Sequence, residues 1–145
     1  MHPCPPASLT VSRVMASIRS RDTKPEIAVR HYLHRAGFRF RLHRRDLPGT
    51  PDITLPRYRT VVFVHGCFWH QHLGCCKHRK IPRHNSSYWG QKLRRNVARD
   101  VESQKKLKKM GWRVLVIWEC QIAEKTLLRL ATRIRKHGKR SGLKR

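Results

Sequence analysis

Thr60-Val61-Val62-Phe63-Val64-His65, followed at once by Gly66-Cys67-Phe68-Trp69-His70-Gln71-His72, decides the architecture of this 145-residue chain. Val61 to Val64 is an unbroken apolar run without polar alternation, the pattern of a central strand covered on both faces. Trp112 to Glu119, with its run Val114 to Trp118, is a second strand of the same kind. Between them, Trp89, Leu93, Val97 and Val101 recur every four residues, which predicts a long helix over about Ser87 to Met110, with Gly111 as its stop. Residues 66 to 85 have no period and are rich in Cys, His, Lys and Arg. So long an irregular segment calls for an organiser, and a metal ion would serve.

Upstream, Thr23-Lys24-Pro25-Glu26 is a helix start. Thr23 can cap, Pro25 suits the first turn, and Glu26 completes a capping box. Ile27, Ala28, Leu33 and Ala36 continue the helix, and Gly37 ends it. Phe38, Phe40 and Leu42 alternate with Arg39, Arg41 and His43, as in a half-exposed strand. Asp46 to Pro51 is a turn, Asp52 to Leu55 a short strand, and Arg57-Tyr58 a second turn. Leu127, Leu130 and Ile134 mark a last helix that passes into a basic tail. The order helix, three strands, helix, strand, helix predicts an α/β fold with a mixed central β-sheet flanked by helices. The expected division is a flexible lead at 1–8, a single domain at 9–136 opened by a short segment at 9–21, and the tail at 137–145.

The chain carries 34 Lys+Arg against 8 Asp+Glu, a formal charge of +26. No apolar run approaches the roughly 20 residues of a membrane span. Met1 to Ser8 holds three prolines and no hydrophobic stretch, so no secretory signal is expected. No helix pairs a basic face with a strongly apolar one, which argues against a membrane surface. The remaining acidic partner is nucleic acid, bound by an RNA-coating protein or by a DNA enzyme. Lys105, Lys106, Lys108, Lys109, Arg94, Arg95, Arg99, Arg19 and Arg21 would supply phosphate affinity rather than specificity.

Five cysteines are present, and Cys67, Cys75 and Cys76 fall within ten residues, interleaved with histidines. Cys67-x4-His72-x2-Cys75 is half of a zinc site, with Cys120 as a distant fourth ligand and Cys76 competing with Cys75. The alternative is that these thiols are small buried hydrophobes. Among the acids, Asp52 stands at the start of a strand beside the central one, where a carboxylate can hold Mg²⁺ against a phosphate. The alternative, which local sequence by itself favours, is a turn Asp that caps its own backbone. His65 and His70 flank Gly66-Cys67-Phe68-Trp69, and a histidine beside a metal-bound phosphate can take a proton from water. Phe68-Trp69, with Trp89 and Met15, could wedge between base pairs or pack in a core.

These residues also carry a resemblance. Met15 to Glu26, Leu47-Pro48-Gly49-Thr50-Pro51-Asp52, Val62 to His72, Tyr88-Trp89 through Lys92, Asn96 to Asp100, and Gly111-Trp112 to Cys120 occur in the order seen in the very short patch repair endonucleases, which the chain closely resembles over about residues 11 to 122. The resemblance implies a variant of the PD-(D/E)xK restriction-endonuclease-like fold with a structural zinc site, in which histidines replace the (D/E)xK half. It makes 9–136 a nuclease domain with a DNA-contacting segment at 9–21. It implies strand-specific nicking of duplex DNA 5′ to the thymine of a T:G mismatch left by deamination of 5-methylcytosine. Asp52 and the Val64 backbone carbonyl would hold Mg²⁺, with His65 and His70 as catalytic histidines and Glu26 as an additional acid. Cys67, His72, Cys75 (or Cys76) and Cys120 would hold Zn²⁺. Met15, Arg19, Arg21, Phe68, Trp69, Trp89 and Asn96 would contact DNA. A functional link to a cytosine methyltransferase and mismatch-repair proteins, a monomeric state and a cytoplasmic, nucleoid-associated location are expected. The competing readings are a non-catalytic zinc-containing nucleic-acid-binding protein and a restriction-like nuclease that cuts matched DNA.

Overall fold

The computed structural model describes residues 22–72, Cys75 and residues 83–140. Helix α1 (Lys24–Arg35) is followed by strands β1 (Arg41–Leu42), β2 (Ile53–Leu55) and β3 (Thr60–His65). Helix α2 (Ser86–Lys109), strand β4 (Arg113–Trp118) and helix α3 (Glu124–Arg140) complete the described chain. The order is the expected one, and α3 runs on to Arg140, into the stretch expected as tail.

The sheet has the order β1-β2-β3-β4. The first three strands pair antiparallel, and β3 pairs with β4 in parallel over six residues, from Thr60–Arg113 to His65–Trp118. Helix α2 makes the crossover that a parallel pair requires. All six residues of β3 are buried because both of its faces are covered. Val62 and Val64, with Leu115 and Ile117 of β4, face α1 and α3 in the larger core, beside Val29, Leu33, Phe38, Leu127, Leu130 and Ile134. Val61 and Phe63 face the opposite way, onto Leu107 and Trp112.

Both glycine stops operate by the same geometry. Gly37 (φ +92°) and Gly111 (φ +87°) take the left-handed conformation that ends α1 and α2. The next residue's N–H then reaches back to the helix, Phe38 to Leu33 and Trp112 to Leu107, each at 3.0 Å. An aromatic ring is thereby driven into the core at each helix end.

Three expectations change. The strand over Trp112 to Glu119 is not covered like β3: β4 lies at the sheet edge and buries only Leu115 and Ile117, in alternation. The strand over Phe38 to Leu42 shortens to Arg41–Leu42, both exposed, because Phe38 is placed by the helix stop and packs edge-on against Tyr58. Val101 is exposed, and Leu93 and Leu107 are the buried residues of α2. A strict four-residue step drifts about 40° per repeat around a helix of 3.6 residues per turn, so the stripe Trp89-Leu93-Val97-Val101 winds away from the sheet. No helix of the described residues is long and apolar enough to cross a membrane.

Candidate active site

Asp52 stands one residue before β2, and the β2–β3 ladder ends at the Ile53–Val62 pair. Val64 therefore projects its N–H past the end of its neighbour strand, and Asp52 Oδ2 accepts it at 2.7 Å. The carboxylate bonds across to the central strand rather than only serving its own turn. Burial pushes the Asp52 carboxyl up to about 7, and the nearby Glu26 charge pushes the same way. The Val64 N–H, His70 and Arg30 oppose this without cancelling it. The donor set at this point is all oxygen: Asp52 Oδ1 and the Val64 carbonyl, which leaves β3 on the same edge as its N–H. That set fits a hard divalent ion.

His65, the last residue of β3, is buried, and His70 stacks on it with ring centroids 3.8 Å apart and planes 5° off parallel. Burial, with help from His70 and against the pull of Asp100, lowers the His65 pKa to about 4, so its ring is neutral near pH 7. Its Nδ1 is buried and finds no hydrogen-bond partner among the described residues. His70 lies in the turn after β3, where its N–H donates to the Gly66 carbonyl at 3.2 Å. Its Nδ1 is 2.5 Å from Asp100 Oδ2 on α2. An ionised carboxylate only accepts, so Nδ1 carries the proton and Nε2 holds the basic lone pair. His65, His70 and Asp100 bring ligand atoms near one another. The lone pairs of stacked imidazoles lie in parallel planes, however, and do not converge on one ion between the rings. The arrangement is that of an oriented base.

Glu26 is 4% exposed at the start of α1. Its backbone N–H donates to Thr23 Oγ1 at 3.4 Å, but the reciprocal half of the expected capping box is not made on Thr23: Glu26 Oε2 accepts from the Asp22 N–H and from Arg30 Nη2, both at 3.1 Å. Arg30 Nη2 also lies 2.7 Å from Asp22 Oδ1. The histidine nearest Glu26 is His43, whose Nε2 is 3.5 Å from Glu26 Oε2, while its Nδ1 is 4.0 Å from Asp52 Oδ1. Asp22, Glu26 and His43 cluster like metal ligands, but the Arg30 guanidinium already lies among them and balances their charge.

Cys67, His72, Cys75 and Cys120 bring one ligand atom each to within 4.8 Å of the others. His72 Nδ1 lies 3.5 Å from Cys67 Sγ and 3.2 Å from Cys120 Sγ. A tetrahedral zinc ion with ordinary bond lengths sets such N···S edges at about 3.6 Å, so the donor set fits. Burial pushes the Cys67 and Cys120 thiols up. The His72 ring stacks on Trp118 at 4.2 Å, and Glu119 Oε1 accepts the Cys67 N–H at 3.1 Å. β4 and the turn after it thus fasten the irregular loop.

Phe68, Trp69 and Trp89 form a tilted, mutually edge-on trio with centroids 5.5 to 6.1 Å apart. They join neither hydrophobic core. Lys92 Nζ lies 5.5 Å from the Trp69 ring, 5.6 Å from Trp89 and 5.9 Å from the exposed Tyr88. Asn96 Nδ2 donates to the Trp69 carbonyl at 3.4 Å. An aromatic group kept out of the core and backed by a cation suits base stacking.

A family model described as DNA mismatch endonuclease Vsr matches residues 8–77. The type II nicking enzyme V.XorIIP of Xanthomonas oryzae pv. oryzae is 50% identical over 111 residues, covering 77% of this chain and 80% of the relative. The type II nicking enzyme V.NmeAIP of Neisseria meningitidis serogroup A is 43% identical over 118 residues, covering 81% and 83%. The DNA mismatch endonuclease Vsr of Escherichia coli K12 is 41% identical over 113 residues, covering 78% and 71%. The chain belongs to the Vsr family. The restriction-endonuclease-like fold that this family implies accords with the four-stranded mixed sheet and its three helices.

Within this Vsr-family chain the structure brings Asp52, Val64, His65 and His70 to one end of β3, with Glu26 reaching them through His43. Cys75 is the third thiol of the cluster, and its rival Cys76 lies outside the described residues, as do Met15, Arg19 and Arg21. Sequence reading missed Asp100 and His43 as site residues. Asp100 carried a usable signal, being one of 8 acids in a chain of charge +26 and placed on a basic helix. His43 carried none, since it alternates with Leu42 like any strand residue.

Proposed function

We propose that this Vsr-family chain is a Mg²⁺-dependent endonuclease that nicks one strand of duplex DNA 5′ to the thymine of a T:G mismatch. The observation that carries the reading is the half-buried Asp52, tied to Val64 beside a stacked His65–His70 pair whose outer ring is held by Asp100. A binding protein has no use for an oriented base next to a desolvated carboxylate. The Escherichia coli relative is named a mismatch endonuclease, and the Xanthomonas and Neisseria relatives are named nicking enzymes.

Asp52 Oδ1 and the Val64 carbonyl would hold Mg²⁺, which supplies Lewis-acid polarisation of the phosphate and charge stabilisation at the leaving oxygen. His70 Nε2 takes the proton of the attacking water, and Asp100 stabilises the imidazolium that results. The phosphorus gains the water oxygen and loses one ester oxygen, which leaves as a hydroxyl after reprotonation. Neutral His65 can donate to a phosphate oxygen without adding charge to the site. Glu26 keeps Arg30 and His43 in place. Phe68, Trp69 and Trp89 form the wedge beside the mismatch, with Asn96 steadying Trp69 and with Met15, Arg19 and Arg21 as further DNA contacts. Cys67, His72, Cys75 and Cys120 would hold a structural Zn²⁺, which would order the loop bearing His70 and the wedge. The protein acts as a monomer within the nucleoid, in concert with a cytosine methyltransferase and mismatch-repair proteins.

The test is a Mg²⁺-dependent nicking assay on two labelled duplexes that differ only by T:G against C:G at one position, run over a series of methylation-site contexts. Cleavage of only the thymine strand of only the mismatched duplex is expected. Cleavage of both duplexes would move the reading to a restriction-like nuclease. Binding to both without any cleavage would leave a non-catalytic nucleic-acid-binding protein.

A further inference from the structure

We infer that His43 is a positioning residue of the Asp52 site: its ring, fixed by Arg30 with the proton on Nδ1, presents a donor to the Asp52 oxygen that Val64 leaves free. The inference rests on the reading of Asp52 as a metal ligand.

Arg30 Nη2 lies 2.9 Å from His43 Nε2. A guanidinium only donates, so in this contact His43 Nε2 accepts, sharing the two Nη2 hydrogens with Asp22 Oδ1 at 2.7 Å and Glu26 Oε2 at 3.1 Å. A neutral imidazole that accepts at Nε2 carries its hydrogen on Nδ1. That nitrogen faces Asp52 Oδ1 at 4.0 Å, whereas Oδ2 is already taken by the Val64 N–H. The tautomer is thus set from one side and read on the other. Arg30 is itself held by Asp22 and Glu26, so the chain of contacts begins at the cap of α1.

The backbone is shaped to the same end. His43 adopts φ +46°, a left-handed conformation that His, like Asn and Asp, takes more readily than other side-chain-bearing residues. In that conformation its N–H donates to the Asp52 carbonyl at 3.3 Å, which ties the two residues through main chain as well as side chain. The ring is 13% exposed, so few alternative partners are within reach.

At 4.0 Å the Nδ1 donor is poised rather than bonded. A small ring rotation, or one bridging water, closes the gap. Carboxylates that ligate metals are themselves hydrogen-bonded by outer residues, and losing such a partner weakens metal affinity by roughly 10–100-fold. This is the role the geometry assigns to His43.

The test uses the full chain with its zinc and without DNA. Mn²⁺ is titrated calorimetrically into the parent protein, Asp52→Asn, His43→Asn and His43→Gln. Asn tolerates the left-handed backbone but is too short to reach Asp52, whereas the Gln amide restores a donor. Zinc content and melting temperature check that each variant is folded. In parallel, the ¹⁵N imidazole spectrum reads the His43 tautomer, assigned by the signal that His43→Gln removes. The expected result is loss of Mn²⁺ binding in Asp52→Asn, a roughly 10–100-fold weakening in His43→Asn, recovery to within roughly threefold in His43→Gln, and an Nδ1–H ring. If Asp52→Asn loses the ion while His43→Asn binds as the parent does, or if the proton sits on Nε2, the His43 inference fails and the Asp52 reading stands. If Asp52→Asn binds Mn²⁺ like the parent, the Asp52 reading fails and His43 falls with it.

Discussion

The thiol cluster and the Asp52–histidine group both hang from the ends of β3 and β4, yet they are built to opposite ends. The cluster gathers three thiols and one imidazole, four donors that saturate a tetrahedral ion. It presents no open position, and Trp118 and Glu119 fasten it from behind. The Asp52 group is left incomplete. One carboxylate oxygen has no bond to Val64, the His65 Nδ1 has no partner among the described residues, and the Asp52 carboxyl is pushed up to about 7. Completed sites hold structure together, whereas incomplete ones keep coordination positions and lone pairs for a substrate. The residues between them, from Gly66 to His72, belong to both.

The comparison breaks most violently if the thiol cluster does not hold a metal. Cys120→Ser, or a strong chelator on the parent, is expected to remove zinc and abolish cooperative thermal unfolding, since structural zinc sites carry on the order of 10 kcal/mol of apparent folding energy. Zinc analysis and calorimetric melting of the purified protein decide it. Unchanged metal content and an unchanged melt would make these cysteines ordinary core residues.

Asp52→Asn is expected to do the reverse, losing function while gaining stability. Nicking should fall by at least about 100-fold, the upper range for residues that only support a metal ligand. Asn still offers Val64 an oxygen acceptor, so the fold should persist. The pH dependence is specific. The folded-state value near 7 lies above the unfolded carboxyl value of 3.8, so the stability that Asp52 contributes is present below pH 4 and lost as pH rises through 7. Asp52→Asn escapes that loss. Without Mg²⁺, its stability advantage over the parent should grow from pH 4 to pH 7 and stay flat above. Denaturant melts at pH 5, 6, 7 and 8 read this directly, and a constant difference across them would show that Asp52 is not desolvated. His65 behaves oppositely. With its pKa lowered to about 4, its contribution is lost as pH falls from 6.5 towards 4. In the parent the two slopes cancel across that interval, whereas Asp52→Asn should show the His65 slope alone.

Asp100→Asn keeps size and hydrogen-bonding capacity but can donate to His70 Nδ1 and so place the ring proton on Nε2, the wrong nitrogen for a base. A fall in single-turnover nicking of about 10–100-fold is expected, with DNA affinity unchanged. Weaker DNA binding with an unaltered rate constant would instead make Asp100 a surface residue that steadies the loop.

How much of this was legible in sequence follows the same division. The element order, both glycine stops and the thiol cluster rest on local pattern, periodicity or sheer density of cysteine, and they appear where expected. Asp52, His65 and His70 stood out because Asp52 stands just before the strand that precedes the central one, His65 ends the central strand and His70 follows it by five residues. Asp100 and His43 did not, since Asp100 is 30 residues from the ring it holds and His43 acts through Arg30 and Asp52, which only folding brings beside it. Val101 was misplaced for a geometric reason, because a four-residue step drifts off a 3.6-residue helix. Local arithmetic finds residues that carry chemistry more readily than those that orient them: Asp100 showed only as a rare acid on a basic helix, and His43 not at all.

The smallest predicted effect is the most informative about the loop the two regions share. Cys67 is fully buried, and its N–H has Glu119 Oε1 as acceptor at 3.1 Å. Glu119→Ala would leave that donor unsatisfied, at about 1–3 kcal/mol, or a drop of several degrees in melting temperature for a domain of this size. Glu119→Gln keeps an acceptor in place and should recover most of the loss. Zinc should stay bound in both, since none of the four donors is touched. The nicking rate then separates two pictures of residues 66–72. If the loop is one rigid unit, loosening the Cys67 end displaces His70 and the Phe68–Trp69 pair, and Glu119→Ala slows nicking together with its loss of stability. If the turn that holds His70 to Gly66 is set by Asp100 and the His65 stack alone, the melt shifts and the rate does not. In that case the two regions adjoin in the chain but are mechanically independent.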